Sequence, residues 1–513
     1  LLESVDQHRN QPDTAVRTQN ECIKGDSKNA SIQYSLARLL ILRNSKDDFV
    51  QTEELLSSLE KTSGKTTDLL FTRALLAIAQ QEPDYVKKAQ AILEELVKLE
   101  PSHVRAYLAL IQIAMVRRDA EAVKAIAIRG LEASPNNPQL LLSQAQAERA
   151  LKNNAAAADL ARQILKTRPG YTDAVGVVTS IAIGSKKPEV MAEALELARQ
   201  ASLANPPDYR LPLTAATILR AMKKAGEVVA ELDSYTRTKA GEKSTPVLLA
   251  LAEISRTAGQ TDDWNRWMLR ANITAPKHPA VLIEKLRGLA AQNKHDEIIT
   301  QMAAYLQDKE VNSSVLQAAA SLLLSSESPA DRTEAVKLYE RALALNPKSI
   351  PAQMNLALAA NRTGDPDRAE AIYRKILKTQ PQNAQALNAL AWTLGIERKD
   401  CTAALPLIDQ AVKAAPNSSH VHDTRGMILS KLGRFADARK SFEKCVELTA
   451  PDSTRRAAAL LQLGRTCNTL KDNAAAKKHL EDAKAIDAEN KVLTDKQRSE
   501  IVDILKNLQT KST

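Results

Sequence analysis

The chain has 513 residues and a formal net charge of +10, with 44% hydrophobic, 26% charged and only 3% aromatic residues. That apolar content excludes wholesale disorder, while the scarcity of aromatics and of glycine (15 residues) excludes a β-rich fold and weighs against an enzyme with aromatic-lined pockets. Spread over this length, the charge is a mild bias towards acidic partners, below the density of a nucleic-acid-binding surface.

Residues 1–30 read as a degraded helix and a polar loop. The chain opens at Leu1 with no methionine and no secretion signal, so the expectation is a removed targeting segment or a missing upstream portion. From 31 to 488 the sequence repeats. Pro101, Pro135 and Pro169 stand 34 residues apart, as do Pro347 and Pro381, with Pro416 one residue late. Each proline follows an apolar segment with i, i+4, i+7 spacing, such as Ala89, Leu93 and Leu96, which places those side chains on one helix face. Proline cannot continue the helical ladder and so closes each segment. An earlier helix in each unit carries a small residue, as in Leu356-Ala357-Ala360, Gly426 or Gly464, where a second helix can approach closely. A hairpin of two such helices cannot bury its apolar face alone, so neighbours must stack.

The unit with Gly426, Ala438, Phe442 and Cys445 resembles the tetratricopeptide repeat (TPR) family, and that family's alanine position in the second helix serves as a ruler. It falls at Thr52, Ala89, Val123, Ala157, Ala194, Val228, Trp264, Ile298, Ala335, Ala369, Ala404, Ala438 and Ala476, in steps of 34 to 38 residues. The count predicts an all-α, right-handed α-solenoid of about thirteen helix-turn-helix units. The pattern is fullest over Ala89–Ala157 and Ala335–Ala476 and degraded at Thr52, Val228, Trp264 and Ile298. Extra residues at Lys186-Lys187-Pro188, Glu327-Ser328-Pro329 and Pro451-Asp452-Ser453 are expected to lengthen loops. Residues 489–513 supply an end cap: Thr494 and Gln497 form a capping-box pattern, and Ile501, Val502, Ile504, Leu505 and Leu508 make an amphipathic face.

The TPR-like unit of Gly426 closes on Pro451, one residue late. The resemblance implies a binding solenoid whose first helices line a concave groove. It places Arg105, Gln112, Gln139, Gln146, Arg149, Arg210, Thr217, Arg220, Arg256 and Arg287 in that groove, with Glu253 as the acidic exception. Guanidinium and amide groups suit an extended acidic segment, because arginine offers forked donors; in the competing reading the same side chains simply solvate the groove or pair with neighbours across it. Met354, Leu358, Trp392 and Met427 fall at equivalent places further on and would form an apolar floor. For Trp392 the favoured reading is instead the helix–helix core, reached if the one-residue slip between Pro381 and Pro416 rotates it inward, because an indole is more commonly buried.

Chemistry is sparse. No phosphate-binding loop, nucleophile elbow or H-E-x-x-H occurs, and nothing calls for a cofactor. His420-Val421-His422-Asp423 puts its histidines about 200° apart on a helix, unsuited to sharing a metal, and reads as a solvated helix start. Asp365 reads as a helix cap, and Glu94-Glu95 and Lys223-Lys224 as exposed helix faces. Cys22, Cys401, Cys445 and Cys467 lack metal spacing; Cys445 and Cys467 read as small core residues, with a buried disulfide the lesser alternative. No apolar run reaches the roughly 18 residues of a membrane span. The lysine–asparagine clamp of chaperone-binding TPR domains does not recur around Asn355 and Asn388, nor does the asparagine ladder of the nucleocytoplasmic glycosyltransferase arm.

The stretches 386–392 and 422–433 resemble bacterial TPR proteins of envelope assembly and exopolysaccharide export. This implies a non-catalytic scaffold for protein partners, within a larger complex and in the periplasm or envelope rather than the cytoplasm. The alternatives are a binder of acidic polysaccharide or another polyanion, and a self-assembling structural solenoid.

Overall fold

The computed structural model describes residues 16–19, 21–22, 29–80, 84–308, 310–450 and 454–510. Most of segment 1–30 and the Pro451-Asp452-Ser453 insertion lie outside them. Among the described residues there is no strand, and the chain divides into two units, Leu1–Ile254 and Ser255–Thr513.

Unit 1 runs through α1 (Ala30–Arg43), α2 (Lys46–Ser63), α3 (Thr67–Gln80), α4 (Tyr85–Leu99), α5 (Val104–Val116), α6 (Ala120–Ala133), α7 (Pro138–Ala150), α8 (Asn154–Thr167), α9 (Thr172–Ser185), α10 (Pro188–Ala204), α11 (Arg210–Ala221) and α12 (Ala225–Thr236). The helix α13 (Thr245–Thr257) carries the chain into unit 2. There follow α14 (Thr261–Thr274), α15 (Pro279–Ala291), α16 (His295–Tyr305), α17 (Ser313–Leu324), α18 (Pro329–Leu345), α19 (Ile350–Arg362), α20 (Pro366–Thr379) and α21 (Ala384–Trp392). A π-helical segment (Thr393–Glu397) leads to α22 (Cys401–Ala414), α23 (Ser419–Lys431), α24 (Phe435–Leu448), α25 (Thr454–Thr469), α26 (Asn473–Asn490) and α27 (Asp495–Thr510). Taken in sequence, the helices up to α26 make the thirteen pairs that the ruler predicts, and each unit is an all-helical stack of such hairpins.

The ruler residues explain the stacking. All thirteen lie in the second helix of their pair and all are buried. Eleven of the thirteen are alanine, valine or isoleucine packed without exposure or nearly so, which brings helix axes close enough for continuous apolar clusters. Trp264 departs from this size rule, and the next helix compensates for it. Gly288 on α15 faces the indole so closely that an added Cβ would sit 2.0 Å from Trp264 Cζ2. Gly426 makes the same room for Phe442, at 2.5 Å, and Gly464 for Leu480, at 2.7 Å.

Two irregularities correct the reading of the insertions. The residues added at Lys186-Lys187-Pro188 and Glu327-Ser328-Pro329 do not lengthen loops. Pro188 and Pro329 open α10 and α18, each 17 residues long against 14 for α8 and α20. Three added residues are close to one helical turn, so they extend a helix without rotating its buried face. The single residue behind the late Pro416 cannot be absorbed that way. It is taken up by the π-helical segment after Trp392, a wider turn that accommodates one extra residue.

The turns inside hairpins repeat one device. Arg118, Lys152, Lys223, Gly259, Asn293, Gly364, Lys399, Gly433 and Lys471 all follow a first helix and all have left-handed φ, between 56° and 81°. Lys223-Lys224 therefore belong to such a turn rather than to a helix face. A side chain is disfavoured in that conformation. Lys152→Gly, at φ 67°, is expected to raise the stability of the full chain by about 0.5–1 kcal/mol, read as a higher denaturation midpoint. Asp365 caps α20 as expected, its Oδ1 accepting from the Arg368 backbone N–H at 3.0 Å.

The cap is also as read. The Thr494 N–H donates to Gln497 Oε1 (2.9 Å) and the Gln497 N–H to Thr494 Oγ1 (3.3 Å), a reciprocal capping box. Ile501 and Leu508 of α27 are buried against α25 and α26 residues, among them Leu461, Cys467 and Leu480. Cys401, Cys445 and Cys467 are buried free thiols and Cys22 is an exposed one, so Cys445 and Cys467 form no disulfide.

Candidate functional site

Charge is distributed unequally between the two helices of each hairpin. Successive second helices pair their charges with one another. In unit 1, Arg129 of α6 reaches Glu94 of α4, Arg162 of α8 reaches Glu193 of α10, and Arg199 of α10 reaches Glu231 of α12, all at 2.8 Å. In unit 2, Arg368 of α20 pairs with Glu340 of α18, and Arg439 of α24 with Asp472 beside α26. Exposed pairs like these contribute about a few tenths of a kcal/mol each, but they leave these second-helix arginines neutralised.

The first helices of unit 1 are different. Arg105 of α5 lies over the Phe71 ring of α3, 5.6 Å from its centroid. Arg149 of α7 donates to Ser180 Oγ of α9 (3.2 Å). Among the described residues none of Arg105, Arg149 and Arg220 has a carboxylate partner, and all three are exposed. Gln112 and Gln139 are exposed and Gln146 partly buried on the same helices. The buried acid of this region, Glu148, is already committed: Asn153 and Lys124 hold it at 2.8 and 3.0 Å and keep its carboxyl below the usual range.

Three other arginines of the expected lining are not available in this way. Asp208 chelates Arg210 from two residues away, and that guanidinium holds the Asp208 carboxyl down to about 2. In unit 2 the buried Glu284 of α15 takes both Arg256 (2.8 Å) and Arg287 (3.5 Å). Arg210, Arg256 and Arg287 thus follow the competing reading, in which such side chains pair with neighbours. Spacing alone showed which residues share a face but not which of them reach a carboxylate on their own or a neighbouring helix.

Unit 2 brings the apolar candidates to one register. Met354, Asn388 and Asp423 each stand five residues after an N-cap (Ser349, Asn383 and Ser418), and Leu358, Trp392 and Met427 stand nine after. Because the π-helical segment begins after Trp392, the extra residue does not rotate the indole into the core. Trp392 is half-buried and its Nε1–H donates to Glu397 Oε1 at 3.1 Å. Leu358 is 44% exposed, and Met354 and Met427 are partly buried. Trp392 is thus not part of the buried helix–helix core, against the favoured reading of the sequence.

The same helices carry polar groups to which the sequence reading gave no binding role. The Asp423 carboxylate has no hydrogen-bond or ion-pair partner among the described residues, and burial pushes its carboxyl up to about 6. Asn388 Oδ1 is buried without a donor, and so is Asn361 Oδ1, although its Nδ2 donates to Thr393 Oγ1 at 2.8 Å. The register that selects Met354 and Trp392 also selects Asn388 and Asp423, so the signal was present. His422 is buried rather than solvated, with Nε2 2.8 Å from the Pro416 carbonyl, while His420 is exposed beside Arg455. Among the described residues no group of three histidine, cysteine or acidic side chains is placed to hold a metal, and no helix is long and apolar enough to cross a membrane.

Comparison with known proteins agrees with this geometry. Two family models described as tetratricopeptide repeat match residues 330–393 and 419–489. A segment of 159 residues, 30% of this chain, is 28% identical to 26% of protein FlbA of Caulobacter vibrioides. Another of 104 residues, 20% of this chain, is 30% identical to 18% of the TPR repeat-containing protein PA4667 of Pseudomonas aeruginosa. The chain thus matches about a quarter or less of the length of these bacterial relatives. The crystal structure of yeast Tom70 aligns over 87% of this chain and 96% of its own, at 15% identity and a TM-score of 0.41. With its recurring hairpins, its buried ruler residues and these two matched segments, the chain is a tetratricopeptide repeat protein.

Proposed function

We propose that the chain is a non-catalytic protein-interaction scaffold of a bacterial assembly or secretion complex, and that the first helices of unit 1 take an extended acidic segment of a partner. The observation that carries this reading is the contrast in unit 1. Second-helix arginines are spent on neighbouring carboxylates, whereas Arg105, Arg149 and Arg220 keep their forked donors free of any acid. An acidic polysaccharide would need stacking aromatics beside those guanidinium groups, and the exposed or partly exposed first-helix residues around Arg149 and Arg220 are Gln146, Ser180 and Thr217. A peptide fits that lining better.

The test is fluorescence anisotropy of a labelled glutamate-rich peptide titrated with the full chain. Wild type is expected to bind with an affinity that falls steeply as salt rises. Arg149→Glu/Arg220→Glu, two exposed changes that leave helical circular dichroism intact, is expected to weaken binding roughly a hundredfold. Equal affinity of the two proteins would remove the acidic-segment reading.

A further inference from the structure

In unit 2, three successive first helices, α19, α21 and α23, carry acceptor atoms that have no donor or cation partner among the described residues. Asn361 Oδ1 and Asn388 Oδ1 are buried with no donor. Asp423 is in the same register as Asn388, one helix further along, partly buried and without a partner. A buried acceptor without a donor loses its water for nothing in return, so native proteins rarely keep several side by side.

The arginines around them are engaged elsewhere. On α23 itself, Arg425 is bound to Asp409 of α22 (2.7 Å) and to Ser441 of α24 (2.8 Å). On α25, Arg455 contacts His420, Arg456 donates to the carbonyls of Val446 and Thr449, and Arg465 pairs with Glu500 of α27. On the α21 side, Arg398 pairs with Glu370 and Asp367. Apolar side chains flank the acceptors: Leu358, Trp392 and Met427 form the next row of the same three helices. Large and adaptable residues of this kind are common binding hot spots.

We infer that α19, α21 and α23 form a second binding site, selective for an extended segment of a partner protein that inserts a lysine or arginine against Asp423 between apolar side chains resting on Leu358, Trp392 and Met427. Charge complementarity fixes the class of occupant: the site offers the Asp423 carboxylate, with no cation paired to it among the described residues, beside apolar side chains. The inference extends the scaffold reading to a site of opposite charge and does not depend on the arginines of unit 1.

The experiment uses immobilised full-length chain and a peptide pool with one central position occupied by Lys, Arg, norleucine or Glu. The flanking positions are randomised over Leu, Met, Phe, Ser and Gln. Retained peptides are sequenced by mass spectrometry. Wild type is expected to enrich Lys and Arg over norleucine roughly thirtyfold or more, as for a desolvated charge pair. Asp423→Asn is expected to bring that ratio close to one while remaining folded. Arg149→Glu/Arg220→Glu is expected to leave it unchanged and to lower only the enrichment of Glu. No cationic enrichment on wild type, or enrichment that survives Asp423→Asn, overturns the inference. Loss of Glu enrichment alone bears only on the site of unit 1.

Discussion

Replacing Gly288 by alanine is expected to destabilise the protein by about 2–3 kcal/mol, although the change adds one methyl group to a helix. The added Cβ would lie 2.0 Å from Trp264 Cζ2 and 2.5 Å from Cη2, well inside van der Waals contact, so the indole or the α15 backbone must move. Trp264→Ala removes the obstacle but leaves a void, at a cost of about 3–5 kcal/mol. The double variant separates packing from helix propensity. Alanine at 288 then has room, gains the helix propensity that glycine lacks and fills part of the void. The double variant should therefore be more stable than Trp264→Ala alone, by about 1 kcal/mol. Urea denaturation of all four proteins reads this directly. If Gly288→Ala proves neutral in the wild-type background, the packing assignment at this hairpin is wrong.

The second large effect runs in the opposite direction. Asp423→Asn is expected to stabilise the protein at pH 7 by up to about 3 kcal/mol, from a carboxyl pushed up to about 6 by burial against an ordinary 3.8. The sign follows from proton uptake. Between those values the folded state holds a proton that the unfolded state has released, so wild-type stability falls as pH rises from about 4 through about 6. Above that it carries the whole penalty of a desolvated carboxylate, and below 3.8 the penalty vanishes because both states are protonated. Asparagine does not ionise, so the variant's advantage should be present at pH 7 and absent at pH 3.5. Denaturation midpoints at these two pH values measure it. A residue that lowers stability and could be relieved by one isosteric change is the kind that binding, rather than folding, explains.

Much of the fold was legible because the repeat is written in small residues. A 34-residue step between buried alanines needs no tertiary information, and even Thr52, Val228, Trp264 and Ile298 proved to be buried second-helix positions. What could not be read was how departures from the step are absorbed. Three extra residues make a helical turn in α10 and α18, whereas one extra residue makes a π-helical segment after Trp392. That difference decides whether the indole faces the groove or the core. The candidate site was half legible. The face that Arg149 and Arg220 occupy follows from register, but the neutralisation of Arg210 by Asp208 and of Arg256 and Arg287 by Glu284 depends on side-chain reach. Asp423 escaped notice for a related reason. Beside two histidines it resembled a solvated helix start, and only the structure places His422 in the core and leaves the carboxylate without a partner.

Both proposed sites lie on first helices, and that is the claim on which the account depends. Hydrogen–deuterium exchange of the full chain, alone and with a glutamate-rich or a lysine-bearing apolar peptide, tests it most directly. The account predicts slower exchange in α5, α7, α9 and α11 with the acidic peptide and in α19, α21 and α23 with the cationic one, the even-numbered second helices changing little in either case. Protection concentrated on the second helices, or the same helices protected by both peptides, would contradict it.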